Sequence, residues 1–198
     1  MIEKISRRRI IAGGAAALLS QQLSVDVLAK SKSAGLSANS GLIPDDLDHE
    51  HFMRLAIEQA NKVPSCPFGA VVVNMKSKKV VGEGWVRVKK NPIWHGEMTA
   101  INSCPDADLN QGFNWREVCL YTTGESCPMC QAAIIWTGMP LVVYGSAMPF
   151  LQRYKFGEID IRAETVNKAS RLGQCRIIGG VLEKECNALF ADAHKFYS

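Results

Sequence analysis

The chain has 198 residues and a mass of 21.7 kDa, a length that fits one domain of ordinary size. Hydrophobic residues make up 47% and charged residues 21%, which excludes a disordered, collagenous or coiled-coil chain. The formal net charge is +4, and half of it comes from residues 1–29, where Lys4, Arg7, Arg8 and Arg9 stand against Glu3 and Asp26; so neutral a remainder lacks the basic field of a dedicated nucleic-acid binder.

No apolar run reaches the roughly 18 residues that a membrane-spanning helix needs. Ser6-Arg7-Arg8-Arg9 is followed by a weakly apolar stretch from Ala12 to Leu19 and by a small-residue site at Val27-Leu28-Ala29. This order of charge, short apolar segment and cleavage site resembles a twin-arginine export signal. It predicts cleavage near Ala29 and a periplasmic or secreted mature protein. Residues 30–44, rich in Ser, Gly, Ala and Asn and ending at Pro44, read as a linker, which leaves 45–198 as the folded domain.

Within that domain the pattern predicts a helix over roughly 46–62, with Asp45, Asp46 and Asp48 near its positive end. Phe68–Asn74 and Val80–Val86 are β-branched runs separated by five turn residues and predict an antiparallel hairpin. A helix at 96–103, a strand at Val118–Thr122, a helix at 128–137 and a strand at Leu141–Gly145 follow. Ile161–Leu172 reads as helix, Arg176–Val181 as a short strand and Glu183–Phe196 as a closing helix. Helices between strands after an initial hairpin imply a mixed sheet covered on both faces.

The chemistry concentrates in His95-Gly96-Glu97 and Cys127-Pro128-Met129-Cys130, each where a helix is predicted to begin. Two thiolates three residues apart share one face of a helical turn and suit a tetrahedral metal, with one imidazole as a third ligand. A fourth vertex stays open, and a water on zinc there has its pKa lowered to about 7. Glu97 is then the natural proton carrier. An ideal helix separates residues 95 and 97 by roughly 200°, so His95 is expected at the helix cap. Taken alone, the Cys-x-x-Cys pair leaves both metal binding and disulfide exchange open. His49, His51 and His194 read as surface or helix-end residues rather than ligands.

His95-Gly96-Glu97 followed by Cys127-Pro128-Met129-Cys130 matches the H-x-E…C-x-x-C signature of zinc-dependent base deaminases. The chain resembles the cytidine deaminase-like superfamily, in particular its guanine deaminases, bacterial tRNA adenosine deaminases and fungal cytosine deaminases. The resemblance runs from about His51 to Gly145 through Pro67–Val73, Gly82–Trp85, Asn91–Ile101 and Leu120–Trp136. It implies a three-layer α/β/α sandwich with a five-stranded mixed sheet, zinc on His95, Cys127 and Cys130, and Glu97 as the proton shuttle. The implied reaction is hydrolytic deamination of a small nucleobase or nucleoside. Relatives also imply a homodimer with the C-terminal helix near the site.

Two departures bear on substrate. Relatives carry Pro before the first zinc cysteine where this chain has Ser126, and an Asn after the Gly84-Trp85 pair where it has Val86, which cannot hydrogen-bond a base. Arg87 and Asn91 are candidate replacements from the same loop. Phe68, Trp94 and Phe150 are candidate walls, and the backbone near Ala70 and Cys127 is a candidate brace for the ring. Met148-Pro149-Phe150-Leu151 offers no acidic residue to hold a purine. Cys66, Cys104, Cys119, Cys175 and Cys186 lie outside the proposed metal site and are an odd number, with Cys119 expected as a buried thiol. Two other readings stand beside deamination: an exported thiol–disulfide protein using Cys127 and Cys130, and a deaminase-fold binding protein that has lost turnover.

Overall fold

A computed structural model describes residues 43–196 apart from 108, 110, 111, 157 and 158; the expected export signal at 1–29 and nearly all of the expected linker lie outside the described residues. The β-branched runs form one sheet. Strands β1 (Gly69–Asn74), β2 (Lys79–Trp85), β3 (Val118–Gly124), β4 (Leu141–Ser146) and β5 (Arg176–Gly179) lie in the order β2-β1-β3-β4-β5. β1 is antiparallel to β2 and β3, whereas β3, β4 and β5 are mutually parallel. A tight turn joins an antiparallel pair, but each parallel step needs a crossover. Helix α3 (Pro128–Thr137) supplies the first, and α4 (Met148–Arg153) with α5 (Ala163–Ala169) the second.

Alternation along the strands sends side chains to both faces. Val71, Val73, Cys119, Tyr121, Leu141 and Val143 meet Phe52, Met53 and Ala56 of α1 (His49–Ala60) and Cys186 of α6 (Glu183–His194). Ala70, Val72, Val118, Leu120 and Val142 meet Ala100 of α2 (Gly96–Asn102) and Ile134 of α3. β3 is buried along its whole length, which is why it reads as a continuous run rather than an alternating one. Complete burial of each Val or Leu contributes about 1.5–3 kcal/mol. The result is the three-layer sandwich and five-stranded mixed sheet that the resemblance implies. Among the described residues no helix is long and apolar enough to cross a membrane.

Several boundaries differ from the sequence expectation, for local reasons. α1 starts at His49 rather than near 46 because Asp48 is its cap, accepting from the His51 N–H at 2.9 Å; Asp46 instead pairs with Lys78. β5 stops at Gly179, and Gly180 follows with φ +82°, a left-handed conformation that ends an extended run. α5 covers only Ala163–Ala169, and α6 ends at His194. α4 has no counterpart among the expected elements. The cysteines form no disulfide. Burial pushes the thiols of Cys104, Cys119 and Cys186 up to about 12 and raises that of Cys175, so these sulfurs stay protonated and unreactive.

α2 packs onto β2 so closely that a Cβ on Gly84 would collide with the backbone of Ala100 and Gly96. Gly84→Ala is therefore expected to push α2 off the sheet and to destabilise the fold by about 2 kcal/mol or more, in the upper range for overpacking. Urea unfolding checks this, and a midpoint equal to that of the unmodified protein contradicts it.

His49 opens α1 with its Nδ1 in hydrogen-bond contact with the Tyr121 hydroxyl at 2.8 Å. Burial, aided by the charge of Arg176, lowers the His49 pKa, while burial raises that of Tyr121. Below about pH 6.5 the unfolded chain takes up a proton on His49 that the folded chain resists. Stability is thus expected to fall as pH drops from 6.5 toward the folded value. His49→Gln should flatten that part of the profile in thermal melts; an unchanged slope would refute the assignment.

Candidate metal centre

The register of the sheet brings the chemistry to one edge. Gly69, at the start of β1, lies opposite Trp85 at the end of β2, and Ala70 lies opposite Thr122 near the end of β3. The loops leaving β2 and β3 therefore emerge side by side, and each runs into the N-terminus of a helix, α2 and α3 respectively.

His95 is the N-cap of α2 and Cys127 the N-cap of α3, both in extended backbone, with Pro128 in the first turn of α3. The expected cap position of His95 is thus observed. Neither side chain caps its own helix, so both are directed to other work. The ligand atoms of His95, Cys127 and Cys130 all lie within 4.8 Å of one another, and Cys127 Sγ is 3.6 Å from His95 Nδ1. Both sulfurs are buried and the imidazole is half-buried. Hydrogen bonding from Cys130, reinforced by His95, pulls Cys127 down to about 4 against the opposing effect of burial.

Two sulfurs and one nitrogen at this spacing fit tetrahedral zinc with a vertex left over. No fourth His, Cys, Asp or Glu joins the group among the described residues. Glu97, only 3% exposed, stands two residues after His95 and hydrogen-bonds Cys130. Burial raises its pKa, and the charge of Cys127 raises it further. Met148 forms one buried cluster with both cysteines, and Met98 and Met129 pack against it partly buried, so the sulfurs sit in an apolar collar.

The other candidate residues fall into two groups. Arg87, Asn91 and Trp94 share the loop ahead of His95, where the Arg87 N–H donates to the Trp94 carbonyl at 2.8 Å. The Arg87 guanidinium lies 5.4 Å from the ring centres of both Trp85 and Trp94. Asn91 Oδ1 accepts from the Ile93 N–H at 3.2 Å. Val86 is buried, its N–H donating to the Phe68 carbonyl at 2.9 Å. Phe68 packs on Phe156 and on Phe190 of α6, and Phe150 stacks on Tyr154. Ala70 is fully buried on the α2 side of the sheet. His51 lies edge-on to Phe52 and His194 to Tyr154, away from the metal ligands.

Sequence reasoning missed Glu125. It is 3% exposed and sits in the loop between β3 and Cys127. Its carboxylate accepts from the N–H groups of Met148 at 2.9 Å and Ala163 at 3.0 Å, and from Arg162 Nε at 2.8 and 2.9 Å. The signal available in sequence was its place two residues before a ligand.

Residues 47–146 match the cytidine and deoxycytidylate deaminase zinc-binding region. The chain belongs to that family and is a zinc-dependent deaminase, a hydrolase of C–N bonds. It is 31% identical over 143 residues to the tRNA-specific adenosine deaminase of Haemophilus influenzae, covering 70% of this chain and 78% of that one. It is 33% identical over 104 residues to the guanine deaminase of Bacillus subtilis, covering 50% of this chain and 65% of that one. The structure of guanine deaminase from Nitrosomonas europaea shares the fold, with a TM-score of 0.61 at 21% identity over 74% of this chain and 84% of that one. Of the two chemistries open to Cys127 and Cys130, the family selects metal binding.

Proposed function

We propose that the chain hydrolytically deaminates a small amino-substituted heterocycle, a guanine-, cytosine- or adenosine-like base or nucleoside, and releases ammonia. The observation that carries this reading is the gathering of His95, Cys127 and Cys130 beside a buried Glu97, with no fourth His, Cys, Asp or Glu in the group among the described residues. Bound there, zinc supplies a Lewis acid that makes water a nucleophile at neutral pH. Glu97 is placed to move two protons in turn, the first from the attacking water to a ring nitrogen and the second from the newly added hydroxyl to the amine that leaves as ammonia. Trp94 and Arg87 form the wall ahead of His95, and backbone N–H groups near Ala70 and Cys127 brace the ring. Asn91 is placed in the same loop to contribute its remaining amide group.

The substrate is a free small molecule rather than RNA, in keeping with the near-neutral charge of residues 30–198. Export by the twin-arginine route is supported by Arg7-Arg8 and its flanks, and a mature N-terminus still at Met1 in the native host would refute it. A homodimer is supported by Trp136, 75% exposed on the helix that carries Cys130. Light scattering at the monomer mass would contradict that assembly.

The deciding experiment is an ammonia-release screen of the zinc-loaded protein across guanine, cytosine, adenine, their nucleosides and pterins. Turnover of one of these, abolished in Glu97→Ala, is the expected result. A zinc-loaded protein that turns over none of them favours the binding-module reading, which the buried Val86 motivates.

A further inference from the structure

We propose that Glu125 is a positioning residue of the zinc centre, clamping the loop that carries Cys127 to the starts of α4 and α5. The inference rests on the same zinc centre as the functional reading. A loop between a strand and a helix has few fixed points of its own, and this one must present Cys127 with ångström accuracy while leaving the fourth vertex open. Glu125 provides the fixing. Its N–H donates to the Ser146 carbonyl at 2.7 Å, tying the loop to the end of β4. Oε2 takes the N–H of Met148, the first residue of α4, and Oε1 takes the N–H of Ala163, the first residue of α5. Arg162 neutralises the carboxylate through Nε and reaches the Tyr144 hydroxyl with Nη2 at 3.5 Å.

The clamp also acts on the sulfurs from the other side. Met148, whose N–H it holds, is fully buried and packs on Cys127 and Cys130. One carboxylate therefore sets both the loop that offers the first thiolate and the apolar group that shields the pair from water. Both of its oxygens are engaged by main-chain donors at different helices. A carboxamide must turn its NH2 toward one of those donors, so glutamine cannot replace it in spite of its equal size.

The test is zinc affinity per folded chain, read by competition with a chromophoric chelator. Cobalt(II) serves as a second probe, because its visible spectrum reports thiolate geometry. Glu125→Gln is expected to weaken zinc binding about 10- to 100-fold, the range seen when groups that orient metal ligands are lost, and to shift the cobalt bands. Val73→Ala, in the core on the opposite face of the sheet, is the control for lost stability and should leave both readouts unchanged. Arg162→Gln, which spares both main-chain bonds, is expected to weaken binding less than Glu125→Gln. Should Glu125→Gln bind zinc within twofold of the unmodified protein, or no more weakly than Val73→Ala, the assignment is overturned. Failure of the unmodified protein to bind one zinc would instead overturn the functional reading, so the two outcomes are separable.

Discussion

Glu97→Gln is expected to lower the rate of ammonia release by about 10²- to 10⁴-fold, the range for removing a positioned acid or base, while zinc content stays at one per chain. The side chain is buried at the first turn of α2 and touches Cys130. Glutamine keeps that volume and a hydrogen-bonding oxygen but cannot accept and return a proton. Loss of kcat with retained metal and retained fold therefore separates proton transfer from assembly of the site. The measurement is steady-state ammonia release beside metal analysis of the same preparation. Activity within tenfold of the unmodified protein would remove Glu97 from the mechanism.

Cys130→Ala is expected to lose zinc and, with it, all measurable turnover. Four-ligand zinc sites are worth about 10–16 kcal/mol, so one ligand accounts for roughly 3 kcal/mol, at least about a hundredfold in affinity. The loss falls on a fully buried position in the first turn of α3 and leaves only His95 and Cys127 of the three-residue ligand group. Cys127 also loses the hydrogen bond that most favours its thiolate. Chelator competition and metal analysis read the result. A variant that keeps one tightly held zinc would show that the ion rests on other atoms.

The parts of this arrangement that could be read from sequence are those with local causes. β1 and β2 follow from β-branched runs around a five-residue turn, and His95 at a helix cap follows from the helical period, which cannot place residues 95 and 97 on one face. What the sequence did not disclose depends on partners distant in the chain. Glu125 bonds to residues 23, 37 and 38 positions away, and nothing in its neighbours announces them. α4 is only six residues long and carries little helical period of its own, so its one local signal is Pro149, which is at home in a first turn. The roles of Arg87 and Asn91 turned on side-chain direction. Sequence could place both in the loop ahead of His95 but not reveal that Arg87 lies against two tryptophans and that Asn91 bonds back to its own segment.

Because His95 and Cys127 are both cap residues, an ion held between them staples together two helix beginnings that lie 32 residues apart in the chain. Fraying, which normally starts at such termini, must then break a coordinate bond before it can propagate. Metal loading should accordingly merge the first turns of α2 and α3 into one cooperative opening unit. Slowed amide hydrogen exchange at Thr99 and Gln131, whose N–H groups bond to the carbonyls of His95 and Cys127 at 2.9 Å, is where that union would be seen.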